Sequence, residues 1–310
     1  MKNPSHALTG LIAAPFTAMH ADGSVNLSVI DQQAARLAAD GVAGAFICGS
    51  TGEGLSLTTP ERQQVAQRWR DVLKNTSLQL VVHVGHNSLE EARQLAAQAR
   101  QIQADAVALV APSYYKPATI EDLLSFCVPV ARECAPLPFY FYHIPPLTGV
   151  NLSMFEFLRQ AESQIPNLAG IKFSCMDLVI LQECLNFADG RFNILFGCDE
   201  MLLGALALGV TGAVGSTYNY CAPLYHEIIN AFRAGQLDKA RTLQLKSVKL
   251  VEALGTFGGL ASGKAVMSLT GVDCGPVRSP LRNLTAEQRS RLLHQVKSLD
   301  IIAPAPATAH

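Results

Sequence analysis

The sequence has little charge and no excess of either sign. Only 16% of its 310 residues are charged, 24 Lys and Arg balance 25 Asp and Glu, and the formal net charge is -1. Because no basic excess exists to neutralise phosphates, nucleic-acid binding is not expected. No apolar run reaches the ~18 residues of a membrane helix, and MKNPSHALTG at the start lacks the apolar stretch of a secretory signal. With 49% hydrophobic residues, the chain is predicted to be a soluble, cytoplasmic, globular protein, and an enzyme is the favoured class.

Disulfide and metal frameworks are also missing from the pattern. The cysteines lie within apolar runs and form no C-x-x-C pair, which predicts reduced thiols in the core. They are Cys48, Cys127, Cys134, Cys175, Cys184, Cys198, Cys221 and Cys274. His83 and His86 form an H-x-x-H pair, but no third ligand follows at a clear spacing. A hydrogen-bonded core histidine is therefore favoured over a metal ligand, and no metal is predicted.

What the sequence does contain is a regular alternation of short apolar runs and longer amphipathic segments. The runs are continuously apolar, as in strands of a parallel sheet buried on both faces. They begin near Gly10, Gly44, Leu80, Ala106, Pro138, Leu168, Phe192 and Gly212. Helices are predicted from about Ile30, Thr59, Ser88, Thr119, Ser153, Asp177, Asp199 and Pro223. Eight such units without a G-x-G-x-x-G turn predict an α/β fold, a closed (β/α)8 TIM barrel, rather than a doubly wound sheet.

Local signals sharpen the helix starts and the domain limits. Thr59 before Pro60 predicts an N-cap followed by a proline at the first helical position, and Ser88 with Glu91 has the spacing of a capping box. The barrel is assigned to residues 1–235. Residues 236–300 add about three helices, and because no Pro/Ser-rich linker precedes them, we expect them to pack on the barrel as one structural unit. Residues 301–310, IIAPAPATAH, are predicted to form a flexible tail.

Active sites of such barrels lie at the carboxyl ends of the strands, and Lys172 is the most unusual residue there. It interrupts the apolar run Leu168–Ser174, whereas most of the nine lysines occur in helical or turn-like contexts. A buried ammonium is unfavourable, so the neutral amine becomes accessible and can form a Schiff base with a ketone. A structural lysine paired with a carboxylate is the alternative, and the nucleophile is favoured.

Tyr142 ends the fifth predicted strand, next to the strand that carries Lys172. A tyrosine alone is more often packed than catalytic. Because neighbouring strands can point both side chains into one cavity, a phenol at this place is suited to move a proton to or from a substrate oxygen.

Three further groups of residues follow predicted strands. The loop Gly49–Gly54, GSTGEG, offers the hydroxyls of Ser50 and Thr51 and close backbone approach, which suits a carboxylate. It lacks the GK[ST] ending of a phosphate loop, and a plain glycine turn is the alternative.

Asp199 and Glu200 follow the seventh strand, where they can bind hydroxyls of a polyol in addition to starting a helix. A paired-carboxylate glycosidase is the weaker interpretation, since sequence neighbours rarely straddle a glycosidic bond. GSTYN from Gly215 follows the eighth strand.

Taken together, these motifs resemble one enzyme family. G-S-T-G-E after strand two, Y-x-I-P at strand five and G-[IL]-K at strand six are similar to the pyruvate-dependent class I aldolases of the dihydrodipicolinate synthase / N-acetylneuraminate lyase family. The similarity covers the barrel and the C-terminal helices. It implies Lys172 as the Schiff-base residue, Tyr142 as the proton shuttle, and no metal or organic cofactor.

Within the family, the lyase branch is the more similar one. The synthases carry an arginine in the loop after the catalytic tyrosine, and the corresponding residue here is Leu147. YHIPPLTGV, GIKFS and GAVGSTYNY resemble the vertebrate-type lyases, with Cys198 as a departure inside the sugar-binding G-x-D-E. The implied substrate is N-acetylneuraminate, which is cleaved reversibly to N-acetylmannosamine and pyruvate. By the same resemblance, the substrate is held by Ser50, Thr51, Ser174, Gly197, Asp199, Glu200 and Ser216.

The resemblance further implies a homotetramer in which Tyr114 can reach a neighbouring subunit's site. Three alternatives stay open. One is another pyruvate-dependent aldolase, acting on a 2-keto-3-deoxy sugar acid or as a dihydrodipicolinate synthase. The second is a non-catalytic sugar-binding barrel, and the third is a metal-dependent aldolase that would rest on the two histidines.

Overall fold

Eight parallel strands close into a barrel in which each strand pairs with its sequence neighbours and β8 pairs with β1. This architecture is that of a computed structural model, which describes residues 7–302. The strands are β1 (Gly10–Ala13), β2 (Gly44–Ile47), β3 (Gln79–His83), β4 (Ala106–Val110), β5 (Phe139–His143), β6 (Leu168–Phe173), β7 (Asn193–Phe196) and β8 (Gly212–Gly215). The predicted (β/α)8 barrel is confirmed.

Successive residues of each strand face opposite sides of the barrel wall. On β5, Tyr140 and Tyr142 belong to the apolar cluster inside the barrel, whereas Phe139 and Phe141 pack outward against the helices. Because both sides are buried, the strands are apolar throughout, which explains why the sequence shows continuous rather than alternating hydrophobic runs.

Twelve α-helices surround or extend the barrel within residues 7–302. They are α1 (Ile30–Ala39), α2 (Thr59–Leu73), α3 (Leu89–Gln101), α4 (Ile120–Cys134), α5 (Pro145–Thr148), α6 (Met154–Ala161), α7 (Leu178–Asn186), α8 (Leu202–Ala207), α9 (Tyr218–Arg233), α10 (Leu237–Thr256), α11 (Leu260–Met267) and α12 (Ala286–Ser298). The single turn α5, directly after β5, has no counterpart among the predicted helices. None of the helices in this range combines the length and apolar character needed to cross a bilayer.

Helix starts differ from the sequence predictions in three places. The N-cap of α2 is Thr58 rather than Thr59, because Thr58 and Glu61 form the reciprocal capping box. The Ser88 side chain caps α3, but Glu91 does not return the bond and instead accepts one from Thr59 at 2.5 Å. Helix α9 begins at Tyr218 rather than near Pro223, and a non-helical residue, Cys221, lets the helix bend before that proline.

The C-terminal helices pack on the barrel and share its core. Leu250 of α10, Val266 of α11 and Leu292 of α12 are fully buried in the same apolar cluster as the outer faces of the strands. The number of added helices matches the predicted three. Ile301, the first residue of the predicted tail, is also buried, and residues 303–310 lie outside the described part of the chain.

Candidate active site

Strand register brings Lys172 and Tyr142 side by side at the carboxyl end of the barrel. The two residues are direct partners in the β5–β6 pairing, and each is only 4% exposed. The Lys172 nitrogen lies 4.1 Å from the centre of the Tyr142 ring and 4.0 Å from that of Phe46. Among residues 7–302, no carboxylate lies within 4.0 Å of this nitrogen, so an ion pair does not account for the buried lysine.

A cavity of about 310 Å³ opens above this pair. It is lined by nine residues that the sequence singled out: Ser50, Thr51, Tyr142, Lys172, Ser174, Gly197, Asp199, Glu200 and Ser216. These side chains come from the ends of β2, β5, β6, β7 and β8, which the closed barrel brings to one rim. The structure therefore joins the separate motifs into one site of small-molecule size.

The Gly49–Gly54 loop is folded tightly against the end of β2. A Cβ on Gly54 would overlap the carbonyl oxygen of Cys48, and one on Gly49 would come within 2.7 Å of the Phe46 ring. The Thr17 hydroxyl donates to the Gly52 carbonyl at 2.6 Å, and the Ser50 hydroxyl lies 3.4 Å from that of Tyr142. The loop thus presents its hydroxyls in a fixed position beside the phenol.

Ser174 and Gly197 fit together across the ends of β6 and β7. A Cβ on Gly197 would overlap the Ser174 Oγ, so glycine is the residue that lets the two strand ends carry the serine hydroxyl into the cavity. The Ser174 amide donates to the His143 carbonyl at 2.8 Å, which fixes the backbone at this point.

Asp199 is buried at the base of the site and anchored by a chain of hydroxyls. Its Oδ2 accepts hydrogen bonds from the Thr217 amide at 3.0 Å and the Thr217 hydroxyl at 2.6 Å. Because that hydroxyl has only one proton, it accepts from Tyr225, whose oxygen is 2.7 Å away. The Tyr225 hydroxyl in turn lies 2.8 Å from that of Ser247 on α10. The C-terminal extension therefore helps to position this carboxylate.

The two adjacent acids differ in burial. Burial raises the pKa of Asp199, although the Thr217 hydrogen bonds oppose the shift. Burial also raises the pKa of the half-buried Glu200, with a smaller contribution from the neighbouring Asp199. Because Asp199 is held by protein donors while both acids line the cavity, Glu200 is the freer of the two to accept a hydrogen bond from a ligand hydroxyl.

Tyr114 and Leu147 lie away from these residues. Tyr114 is 76% exposed, stacks edge-to-face on Tyr115 and does not line the cavity of its own chain. Leu147 is 65% exposed on α5, at the border of an adjoining cavity of about 240 Å³.

The H-x-x-H histidines both have hydrogen-bond partners within the protein. The buried His83 donates from Nδ1 to the Cys48 carbonyl at 2.9 Å, and burial together with the nearby Arg62 places its pKa well below the usual value. His86 Nδ1 accepts from the Ser88 amide at 2.9 Å. Across residues 7–302, no group of three or more His, Cys, Asp or Glu side chains is arranged to hold a metal ion.

Several residues of the site were not found by sequence reasoning. Helices α10 and α11 line one wall of the cavity with Val251, Leu254 and Leu260. Their apolar side chains look like ordinary core residues, so nothing in the pattern marks them. Thr217, by contrast, lies inside the GSTYN motif, and its place after a predicted strand is a usable signal.

A larger cavity, of about 790 Å³, lies at the opposite end of the barrel. It is bordered by the amino ends of β5 and β6, and the Tyr140 hydroxyl, which points into the barrel here, already donates to Asn193 at 2.9 Å. The described residues that line the larger cavity include no convergent set of reactive groups, so the smaller cavity at the carboxyl ends is the candidate active site.

Comparisons of the sequence and of the structure with known proteins point to the same group of enzymes. The N-acetylneuraminate lyase of Rattus norvegicus is 40% identical over 307 residues, covering 98% of this chain and 96% of the relative. The solved structure of Proteus mirabilis N-acetylneuraminate lyase matches with a TM-score of 0.93 at 40% identity, covering 96% of this chain and 100% of that one. A dihydrodipicolinate synthase from Bacillus anthracis matches with a TM-score of 0.88 at 27% identity, covering 94% and 98%.

The family model described as "Dihydrodipicolinate synthetase family" matches residues 7–299, which is nearly the whole described chain. The resemblance seen in the three motifs is thereby confirmed. The chain, with its closed barrel, its paired lysine and tyrosine and its GSTGE loop, therefore belongs to the dihydrodipicolinate synthetase family.

Proposed function

We propose that this protein is a carbon–carbon lyase that reversibly cleaves N-acetylneuraminate to N-acetylmannosamine and pyruvate. The observation that carries the proposal is the pairing of Lys172 with Tyr142 inside the cavity, with the Ser50 hydroxyl 3.4 Å from the phenol. Relatives named N-acetylneuraminate lyase, 40% identical over nearly the full length of the chain, support this choice of substrate.

In the first step, the open-chain substrate binds through its carboxylate to the hydroxyls and amides of Ser50 and Thr51. The neutral Lys172 amine attacks the C2 ketone, and loss of water leaves a protonated imine. The aromatic faces of Phe46 and Tyr142, about 4 Å from the nitrogen, tolerate its positive charge.

In the second step, the protonated imine accepts the electron pair of the C3–C4 bond. The Tyr142 phenol gives its proton to the water that departs during imine formation. Its phenolate then takes the proton of the C4 hydroxyl as the C3–C4 bond breaks, so N-acetylmannosamine leaves as an aldehyde and an enamine stays on Lys172. Protonation of the enamine at C3 and hydrolysis of the imine release pyruvate and restore the amine. The sequence of steps balances without a metal or organic cofactor.

The sugar portion would be held by the remaining polar residues of the cavity. Ser174, Gly197 and Ser216 offer a hydroxyl, a close backbone approach and a second hydroxyl, and Asp199 and Glu200 offer carboxylates. Carboxylates are suited to accept hydrogen bonds from a polyol. Leu147, at the place where the synthases carry an arginine, offers no cation for a charged amino-acid semialdehyde.

The assembly and location proposed for this enzyme are a homotetramer in the cytoplasm, with no nucleic-acid or membrane partner. The exposure of the Tyr114 and Tyr115 rings supports an interface at this corner of the molecule. A contribution of Tyr114 to a neighbouring subunit's site belongs to the same proposal.

Trapping and a substrate panel test the proposal together. Borohydride added with pyruvate should attach a reduced three-carbon adduct to the peptide containing Lys172, and Lys172→Ala should abolish it. Pyruvate release from N-acetylneuraminate is then compared with release from 2-keto-3-deoxygluconate. Faster turnover of the second substrate would assign a different aldolase activity, and absence of the adduct would exclude the Schiff-base mechanism.

A further inference from the structure

A second buried lysine, Lys264, lies on α11 and forms an ion pair with Glu53 of the GSTGEG loop. Its nitrogen is 2.7 Å from Glu53 Oε1, and the two side chains are 2% and 1% exposed. The lysine also donates to the Pro276 carbonyl at 2.7 Å. Two opposite charges removed from water in this way are rare in cores and need a reason.

The other oxygen of Glu53 has its own partner in the same C-terminal segment. Oε2 accepts a hydrogen bond from the Arg278 amide at 2.8 Å. The Arg278 guanidinium pairs with Glu61 at 2.5 Å and donates to the Gly23 carbonyl at 2.8 Å. Glu53 therefore joins the end of β2 to both α11 and the chain that follows it.

The loop needs such an anchor because its backbone is unfavourable without one. Cys48 and Glu53, at its two ends, both have positive φ values, 56° and 53°, which non-glycine residues rarely adopt. Between them, the Glu53 amide donates to the Ser50 carbonyl at 3.1 Å, so the position of Glu53 determines where Ser50 lies.

The ion pair also connects two walls of the active-site cavity. Ser50 and Thr51 line one side, and Leu260 and Gly263 of α11 line the other. A Cβ on Gly263 would overlap the Phe16 ring, so α11 is seated closely on the barrel. Movement of α11 and of the loop is therefore coupled through Glu53 and Lys264.

We infer that Glu53 and Lys264 are positioning residues for substrate binding: their ion pair holds the Ser50–Thr51 hydroxyls where they bind the carboxylate of the keto acid. Neither residue lines the cavity beside Lys172, so neither takes part in bond making or breaking. This inference rests on the proposed function, in which Ser50 and Thr51 bind that carboxylate. Lys264 has a second effect, since its positive charge balances the negative charge of Glu53, only two residues after Thr51 of the proposed carboxylate site.

The test uses the full-length variants Glu53→Gln, Lys264→Met and Lys264→Arg. We expect the first two to raise both the KM for N-acetylneuraminate and the pyruvate concentration that gives half-maximal borohydride trapping. The expected rise is about tenfold, the effect of losing a little more than 1 kcal/mol of binding free energy when the loop is less well held, with kcat reduced less than about threefold. Lys264→Met should be the more affected because it leaves Glu53 as an unbalanced negative charge, and Lys264→Arg should stay near the wild type.

Asp40→Asn is the matched control. It removes a buried ion pair of the same length, 2.7 Å to Arg36, at the far end of α1. We expect its melting temperature to fall while its KM stays within about twofold of the wild type. An equal rise of KM in Asp40→Asn, or an unchanged KM in Glu53→Gln and Lys264→Met, would overturn the inference.

Two further outcomes keep the test decisive. If Lys264→Met does not fold, the double variant Glu53→Gln/Lys264→Met replaces it, since it leaves no unpaired buried charge, and its KM must still be raised. If the wild type forms no adduct with pyruvate, the proposed function fails, whereas a normal wild type with unaffected variants refutes the positioning role alone.

Discussion

Tyr142 and Lys172 are register partners on neighbouring parallel strands, so the backbone itself places the phenol ring 4.1 Å from the amine. Their spacing does not depend on a flexible loop. Strand pairing is among the most rigid parts of a barrel, which suits the proposed mechanism, in which Lys172 reacts at C2 and Tyr142 at the C4 hydroxyl of one substrate.

Tyr142→Phe should separate imine formation from bond cleavage. The substitution keeps the ring beside the Lys172 amine and removes only the hydroxyl, so pyruvate should still be trapped by borohydride on Lys172. Cleavage of N-acetylneuraminate should slow by about 10²–10⁴-fold, the usual contribution of a general acid–base group. The measurement is kcat from pyruvate release, with adduct mass as the control. A variant that cleaves at the wild-type rate would remove Tyr142 from the proton-transfer role.

Gly197→Ala should reduce activity with little effect on folding. The added Cβ overlaps the Ser174 Oγ, so the serine hydroxyl must leave its place in the cavity. We expect kcat/KM for N-acetylneuraminate to fall about tenfold, as when one substrate hydrogen bond is lost.

Gly204→Ala is the matched control for that substitution. It lies within α8, where the new Cβ would meet nothing closer than 3.5 Å, and alanine should stabilise the helix by about 0.5–1 kcal/mol without changing activity. Equal kinetic losses in the two variants would mean that the Ser174 contact is not the cause.

The barrel could be predicted from the sequence because its signals are repeated and local. Eight apolar runs alternate regularly with helices, and this alternation predicts both the number of strands and their order. In the closed barrel each strand simply lies beside its neighbours in sequence. Boundaries were less certain for a physical reason. Two sequence signals compete at the start of α2: Pro60 favours Thr59 as the N-cap, whereas Thr58 and Glu61 have the spacing of a capping box, and the reciprocal hydrogen bonds select Thr58. Glu91 does not complete the expected capping box, because its carboxylate accepts a hydrogen bond from the Thr59 hydroxyl of α2 instead.

The residues that line the cavity could also be predicted, because a lysine in an apolar strand and glycine-rich strand ends are visible as exceptions to a pattern. Lys264 was missed for the opposite reason. It lies in a helix, where a lysine ordinarily extends to solvent, and its burial depends on a glutamate more than two hundred residues earlier in the chain. The wall formed by α10 and α11 was likewise invisible, since apolar residues that line a cavity are no different in sequence from those that fill a core.

Thr217→Val should weaken both the fold and the sugar side of the site. The variant keeps the shape but removes the hydroxyl that donates to Asp199 at 2.6 Å and accepts from Tyr225. Leaving a buried carboxylate without one of its donors costs about 1–3 kcal/mol, so the free energy of unfolding should fall by that amount. Because Asp199 is then less firmly held in the cavity, kcat/KM for N-acetylneuraminate should also fall.

The control is Thr242→Val on the exposed face of α10, where the hydroxyl bonds only the Asp238 carbonyl. Urea unfolding should place it within about 0.5 kcal/mol of the wild type. If Thr217→Val is no less stable than this control, Asp199 does not depend on the hydroxyl chain.

The pH dependence of stability should have a specific contribution from His143. This residue ends β5 directly after Tyr142 but points away from the cavity, with its ring 5.3 Å from that of Phe173. Burial lowers its pKa from 6.5 to about 4, while the nearby Asp177 opposes the shift. Between these values the unfolded chain binds a proton that the folded chain does not, so stability falls as the pH decreases from 6.5 towards 4.

For this one group the loss between pH 7 and pH 5 amounts to about 2 kcal/mol. His143→Gln, which cannot take up a proton, should therefore lose about 2 kcal/mol less than the wild type over the same interval, as measured by urea unfolding at both pH values. The comparison cancels the other titrating groups, because His83 and the carboxylates are present in both proteins. Identical losses in the two proteins would mean that His143 is already accessible to protons in the folded state, and that the end of β5 is less tightly closed than its 5% exposure indicates.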